Sequence, residues 1–102
     1  LVEAIHDSET VRAMLEDHRA ALSVDREADR ADRLAGRTIG CPMLCVVGAG
    51  GDLEELFGDP LPIWKAWAED VRVVSIDSGP YIAEDKPEAL VEALTDFLAD
   101  PL

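Results

Sequence analysis

Residues 42–51 read PMLCVVGAGG, an unbroken apolar run that ends in a cluster of glycines. Such a run is typical of a strand that is buried on both faces, as strands are in a parallel sheet. The run VRVVSI at residues 71–76 has a similar character. We therefore predict two parallel strands, over Pro42–Val47 and Val71–Ile76, each followed by a helix, in a right-handed βαβα unit of an α/β fold.

A helix is predicted ahead of these strands. Asp7 or Ser8 can cap it, and apolar residues recur at helical spacing as far as about Leu22. His18 lies on the apolar stripe of this helix, so we expect its ring to face inward and to be largely shielded from water. Two interpretations of His18 stay open, a hydrogen-bonded core histidine and a group that faces a buried site.

The next two helices are marked by charge and by proline. Residues 25–35 carry aspartates and arginines three and four apart, the pattern of a salt-bridged surface helix, and Gly36 is a suitable stop. A further helix is expected after Pro62. It would hold Trp64 and Trp67 as core anchors.

The segment DSGPYIAEDKPEAL, residues 77–90, joins a small-residue turn to the last helix. Asp85 and Glu88 have the spacing of a capping box for that helix. Strand, turn, Gly79, one residue and then a helix is the layout that presents a catalytic histidine in one large class of enzymes. Here the residue is Pro80, which can neither donate nor accept a proton.

Two further features follow the first strand. The glycines of GAGG, residues 48–51, fit neither the G-x-G-x-x-G pattern nor a Walker loop, so we interpret them as a tight turn. Asp52 comes directly after this turn, at the carboxyl end of a strand, where open α/β sheets place their active sites. An isolated aspartate at such a place is more often a helix cap than a catalyst.

The composition limits the class of protein. The chain has 102 residues, at most one small domain, and 48% of them are hydrophobic, which favours a packed core. A formal charge of −13 repels phosphate backbones and anionic lipids, so we expect no nucleic-acid and no membrane partner.

Cys41 and Cys45 are interpreted as reduced core residues, and we expect no metal and no cofactor. No signal peptide or membrane-spanning run is evident, so a cytoplasmic location is expected.

Four stretches carry a resemblance to a known family. They are EDHRA (16–20), DREADRADRLAGRTIGCPML (25–44), DPLPIWKAWAEDVR (59–72) and SGPYIAEDKPEAL (78–90). Together they resemble about the last third of an α/β-hydrolase of the haloacetate (fluoroacetate) dehalogenase family. The resemblance implies a three-layer α/β-hydrolase-type element with an incomplete parallel sheet. Residues 1–36 would be helices derived from the cap, and residues 37–102 the C-terminal βαβα part of the hydrolase core.

The resemblance also implies a mechanism. In that family an aspartate displaces halide from a haloacid, and a histidine activates the water that hydrolyses the resulting ester. The nucleophile would lie outside these residues. Pro80 aligns with the histidine, and His18 aligns with a tyrosine that helps to hold the departing halide. Asp52 matches only the acid position that is common elsewhere in the superfamily.

The chemistry implied for the parent family is therefore hydrolysis of carbon–halide bonds, which we do not expect this chain to perform alone. We interpret it as a fragment or truncated relative of such an enzyme. Two alternatives stay open, a non-catalytic binding module that kept the hydrolase core and a half that complements another chain. Because two apolar strands need neighbours, we expect a partner, either a second copy in a homo-oligomer such as a dimer or the N-terminal hydrolase portion. A haloacid would bind only to the completed protein.

Overall fold

The computed structural model describes residues 2–99 of the chain. The chain divides into two compact units at the Arg37–Thr38 boundary. The first unit contains helices α1 (Val2–Ile5), α2 (Ser8–Ala21) and α3 (Val24–Ala35). The second contains, in chain order, β1 (Met43–Gly48), α4 (Leu53–Phe57), α5 (Pro60–Lys65), β2 (Val71–Ile76), α6 (Ile82–Asp85) and α7 (Pro87–Ala99). None of the helices within residues 2–99 is long and apolar enough to cross a membrane.

The longer helices of the first unit begin and end where their caps dictate. Asp7 caps α2, because its carboxylate accepts the backbone N–H of Glu9 at 3.0 Å and the hydroxyl of Thr10 at 3.1 Å. Helix α3 ends at Gly36, whose φ of 71° lies in the left-handed region that glycine adopts without strain. Both predicted helices are confirmed.

The apolar stripe of α2 is open to solvent. Met14 and Leu15 are 49% and 59% exposed, and Leu22 is 79% exposed. The expectation that His18 faces inward was therefore wrong, because this residue is exposed as well. The physical reason is that α1 and α3, which pack on α2 within this unit, leave the stripe uncovered.

The second unit is built on a parallel pair of strands. Strands β1 and β2 pair in register along their whole length, beginning with Met43 opposite Val71. Strand β2 has the predicted bounds, whereas β1 begins one residue later than predicted. Pro42 has no N–H to offer, and the ladder opens with the N–H of Met43 donating to the Asp70 carbonyl at 2.9 Å. The predicted order of strand, helix, strand and helix is confirmed.

Helix α5 differs from its prediction. It begins at Pro60 instead of after Pro62, because the carboxylate of Asp59 caps it by accepting a backbone N–H. Trp64 lies within the helix and Trp67 follows its end. Trp64 is 37% exposed and Trp67 is half-buried, so neither is the fully buried anchor that we expected.

The core of the second unit is small. Among the described residues the buried apolar ones are Ala68 and Ile76. Helix α7 packs on β2, where the Arg72 guanidinium lies 5.6 Å from the centre of the Phe97 ring. The residues of β1 are half-buried throughout, and only one residue of β2 is fully buried. The expectation of strands buried on both faces is thereby corrected, since the described residues supply too little to cover them.

The two cysteines differ in exposure. Both thiols are free, but Cys41 is exposed and Cys45 is half-buried in β1. The interpretation of both as core residues was therefore wrong for Cys41, which precedes the strand. Burial raises the pKa of the Cys45 thiol, so less of it is thiolate at mildly alkaline pH.

We expect iodoacetamide to alkylate Cys41 about ten times faster than Cys45, because the thiolate is the reacting form and Cys45 is the less accessible thiol. The rates are measured by mass spectrometry on the variants Cys45→Ser and Cys41→Ser, which keep one thiol each. In concentrated urea the two rates should converge. Equal rates in the folded chain would contradict the protection of Cys45.

Candidate functional site

Two loops follow the carboxyl ends of the strands. The first loop is residues 49–52, after β1, and the second loop is residues 77–81, after β2. Because the strands are parallel and adjacent, both loops lie at the same end of the sheet, where the strands have their carboxyl ends. The N–H of Gly50 donates to the Ser78 carbonyl at 2.9 Å. The loops therefore form one hydrogen-bonded surface at the end of the sheet.

Glycine is required where the two loops touch. A Cβ at position 48 would clash with the carbonyl oxygen of Gly79 and lie 2.9 Å from that of Ser78. At Gly50 a Cβ would lie 3.1 Å from the same Ser78 oxygen. The N–H of Gly51 closes the turn by donating to the carbonyl of Gly48 at 3.0 Å. The interpretation of this glycine cluster as a tight turn is confirmed.

The second loop holds position 80 on a fixed backbone. Ser78 is buried and its hydroxyl donates to the Gly79 carbonyl at 2.9 Å, while the Gly79 N–H donates to a carboxylate oxygen of Asp85 at 3.3 Å. The expectation that Asp85 caps the last helix was wrong, because Asp85 ends α6 and α7 begins at Pro87. Pro80 follows the anchored glycine and is exposed. Position 80 is thus presented to solvent without a group that can move a proton.

Asp52 stands at the end of the first loop, where α4 begins. The residue is exposed, and its side chain makes no capping hydrogen bond to the helix. The carboxylate is therefore not used by the cap that an isolated aspartate usually forms at such a place. Asp52 and Pro80 thus lie on adjacent loops at the carboxyl end of the sheet.

His18 belongs to the first unit. Its Nδ1 lies 2.8 Å from the Met14 carbonyl oxygen. A carbonyl can only accept, so this nitrogen carries a proton and donates it. In the neutral ring Nε2 is then an acceptor, and only the doubly protonated, cationic ring could donate Nε2–H to a halide. A neutral His18 is therefore no substitute for a tyrosine hydroxyl.

A groove that the sequence did not reveal runs beside β1. Its volume is about 430 Å³, and its walls come from β1, α4 and α5. We call it the β1 groove; the side chains that line it include those of Cys45, Val47, Leu53, Phe57, Ile63 and Trp64. The signal that could have found it is the pair Leu53 and Phe57, which are four apart and so share one face of α4.

Few side chains on the two loops could take part in catalysis. The two loops offer carboxylates at Asp52 and at Asp77, which is exposed and was not singled out from the sequence, and they contain no imidazole. Within residues 2–99 no three acidic, histidine or cysteine side chains are grouped to hold a metal ion. A carboxylate can attack or orient, but turnover of a covalent ester also needs a group that activates water.

Solved structures of other proteins resemble this chain, whereas family models do not. No family model matches the chain. Solved structures of a "putative epoxide hydrolase" from Pseudomonas aeruginosa are similar to it at 40% sequence identity. One of them superposes with a TM-score of 0.83, and a mutant of the same protein with bound MFA superposes with a TM-score of 0.82. The chain fits part of an α/β-hydrolase-like fold.

The hydrolase-like fold extends through most of the chain. Each match covers 95% of this chain, so both units take part in it. This chain spans only 32% of the length of the solved hydrolases. The α/β-hydrolase relationship expected from the motifs is thus confirmed for the fold.

Proposed function

We propose that this chain forms part of a hydrolase that cleaves the carbon–halogen bond of haloacids, and that it does not turn over substrate by itself. The observation that carries the proposal is the second loop, where the anchored Gly79 presents position 80 beside the Asp52 loop. The likeness to a hydrolase at 40% identity supports a hydrolytic reaction for the parent protein, and the bound MFA of one relative supports a ligand site in that fold.

In the completed protein the roles divide between this chain and the remainder. An aspartate outside these residues displaces the halide and forms an ester, as the resemblance to haloacetate dehalogenases implies. A base at position 80 would take a proton from the water that attacks the ester carbonyl. Pro80 has no such group, so the ester would persist. In this proposal Asp52 would orient a base at position 80, and His18 would hold halide only as a cation.

The test is a chimera in which this chain replaces the aligned third of the Pseudomonas aeruginosa hydrolase. With Pro80→His the chimera should hydrolyse fluoroacetate or chloroacetate repeatedly, whereas with Pro80 retained it should release halide only from the ester-forming step. A general base contributes about 10²–10⁴-fold, so turnover should differ by that factor or more. Halide release is followed with an ion-selective electrode.

Pro80→Ala in the same chimera is the matched control, because it removes the proline ring without supplying an imidazole, and like the Pro80 chimera it should release halide only from the ester-forming step. Equal turnover by the Pro80 and Pro80→His chimeras would refute the role given to the second loop. Hydrolysis of an epoxide without hydrolysis of any haloacid would keep the hydrolase and overturn the substrate class.

A non-catalytic binding module is the second candidate. Pro80 favours it, because the second loop keeps its hydrogen-bonded anchors at Ser78 and Asp85 while it lacks a base. This candidate predicts that the Pro80 chimera retains haloacid reversibly, with no covalent ester. Mass spectrometry of the protein distinguishes the two, since displacement of halide from a haloacetate adds a carboxymethyl group to the aspartate and reversible binding adds no covalent mass.

A further inference from the structure

Asp85 is hydrogen-bonded to both neighbours of position 80. Its carboxylate accepts the Gly79 N–H at 3.3 Å, and its backbone N–H donates to the Tyr81 carbonyl at 3.0 Å. The two bonds lie on either side of Pro80, so they close the chain between residues 79 and 85 into a turn. One residue thus holds the backbone before position 80 and the backbone after it.

The carboxylate of Asp85 approaches the Gly79 backbone closely. A Cβ at position 79 would lie 3.2 Å from the same carboxylate oxygen, so a larger residue there would press against it. Glycine also has the widest choice of backbone conformations, and an unanchored glycine would leave the direction of the next residue open. A hydrogen bond to a carboxylate is about twice as strong as one between neutral groups, which suits it to restrict this glycine.

The other hydrogen bonds of the second loop do not cross position 80. The Ser78 carbonyl accepts the Gly50 N–H from the first loop, and the Ser78 hydroxyl donates to the carbonyl of the adjacent Gly79. Among the described residues, the bond to Asp85 is the one that ties Gly79 to the chain after position 80. Loss of this carboxylate would therefore free the loop from α6.

We propose that Asp85 is a positioning residue, which sets the direction in which the side chain at position 80 leaves the backbone. This role rests on the proposed function, in which position 80 carries the base of the completed hydrolase. A base must lie within hydrogen-bond reach of the water that it activates. A displacement of about 1 Å can lower the rate about 100-fold, so the backbone that carries the base has to be held. Asp85 acts through that backbone and touches no substrate.

Single-turnover kinetics of the Pro80→His chimera test this role. Mass spectrometry follows the gain of the carboxymethyl group as the ester forms and its loss as water hydrolyses the ester. Asp85→Ala should slow hydrolysis of the ester about tenfold or more, because the base acts in that step. The rate of ester formation should stay within about twofold, which a general loss of structure would not allow.

Two further variants of the same chimera are the controls. Asp85→Asn should hydrolyse the ester within about threefold of the parent rate, because its side-chain oxygen can still accept the Gly79 N–H. Glu84→Ala should change neither rate. Glu84 is the neighbouring exposed acid, and its side chain makes no hydrogen bond or ion pair with the described residues. It therefore reports the effect of removing a negative charge from α6.

The hydrogen bond itself is tested in the isolated chain, where no chemistry is needed. Amide hydrogen exchange of Gly79, measured by NMR, should become about fivefold faster or more in Asp85→Ala. The same amide should exchange at the parent rate in Glu84→Ala. Circular dichroism of both variants checks that each keeps its fold.

Three results would overturn the inference. They are unchanged hydrolysis of the ester in Asp85→Ala, an equal loss in Glu84→Ala, and Gly79 exchange that does not respond to Asp85→Ala. The proposed function fails separately, if the Pro80→His chimera hydrolyses no haloacid. Faster exchange of Gly79 in Asp85→Ala would then still show that Asp85 holds the backbone at position 80.

Discussion

The isolated chain should release no halide from fluoroacetate or chloroacetate above a buffer blank. Its 102 residues contain no Gly-x-Asp-x-x-Gly elbow to carry a nucleophile, and Pro80 stands at the position where the proposed mechanism needs a base. Both halves of a covalent mechanism are therefore missing. Since enzymes accelerate their reactions by at least about 10⁶-fold, the expected loss is that whole factor. An ion-selective electrode measures the released halide.

Pro80→His in the isolated chain should not change this result, because a base without a nucleophile has no ester to hydrolyse. The same substitution restores turnover only in the chimera, so the two experiments separate the loop's contribution from that of the rest of the fold. Halide release that scales with the amount of chain added and survives repurification would contradict the expectation.

Gly48→Ala should lower the free energy of unfolding of the second unit by about 3 kcal/mol. The new Cβ would clash with the carbonyl oxygen of Gly79 and lie 2.9 Å from that of Ser78. Both are backbone atoms of the second loop, and they accept hydrogen bonds, from the Gly50 N–H and from the Ser78 hydroxyl, that a shift of the loop would disturb. The whole free energy of unfolding of a small domain is about 5–15 kcal/mol. Urea unfolding followed by the fluorescence of Trp64 and Trp67 measures the change.

Alanine variants at two other glycines are the controls for this loss of stability. A Cβ at Gly40 meets no atom within 4 Å, so Gly40→Ala should change stability by less than about 0.5 kcal/mol. At Gly50 the nearest atom is the Ser78 oxygen at 3.1 Å, and Gly50→Ala should cost about 1 kcal/mol. Equal losses at positions 40 and 48 would show that contact between the loops is not what requires glycine at position 48.

The elements that the sequence predicted well depend on local chemistry. Asp7 caps α2 through its own neighbours, and Gly36 ends α3 through its own φ, so neither depends on distant residues. Strand β2 was placed correctly because its apolar run ends in a turn. Strand β1 was displaced by one residue because Pro42 is apolar, as a strand residue would be, but lacks an N–H.

Burial could not be predicted in the same way. Periodicity shows which face of a helix is apolar, but whether that face is covered depends on what packs against it. His18 was placed inside because it lies on an apolar stripe, and Cys41 because free cysteines are commonly buried, yet both are exposed. The described residues leave both side chains open to solvent.

The position of the two candidate residues depends on the strands. Asp52 was singled out because it follows the carboxyl end of a strand, and Pro80 because of the strand–turn–Gly layout before it; both lie on the loops that follow the two paired strands. The hydrogen bond from the Gly79 N–H to the Asp85 carboxylate was not predicted. The carboxylate of Asp85 can either cap a following helix or accept a hydrogen bond from a preceding loop. The spacing to Glu88 favoured the first use, and the fold adopts the second. Sequence alone offers no way to rank two local partners for one carboxylate.

The open edge of β1 also bears on how long this chain lasts in a cell. Within the described residues β1 has β2 as its one strand neighbour, so its outer edge is unpaired, and Leu53 and Phe57 near it are exposed. Such a surface is the kind that chaperones bind and that marks a chain for proteolysis. Pairing of the edge would hide that surface from both.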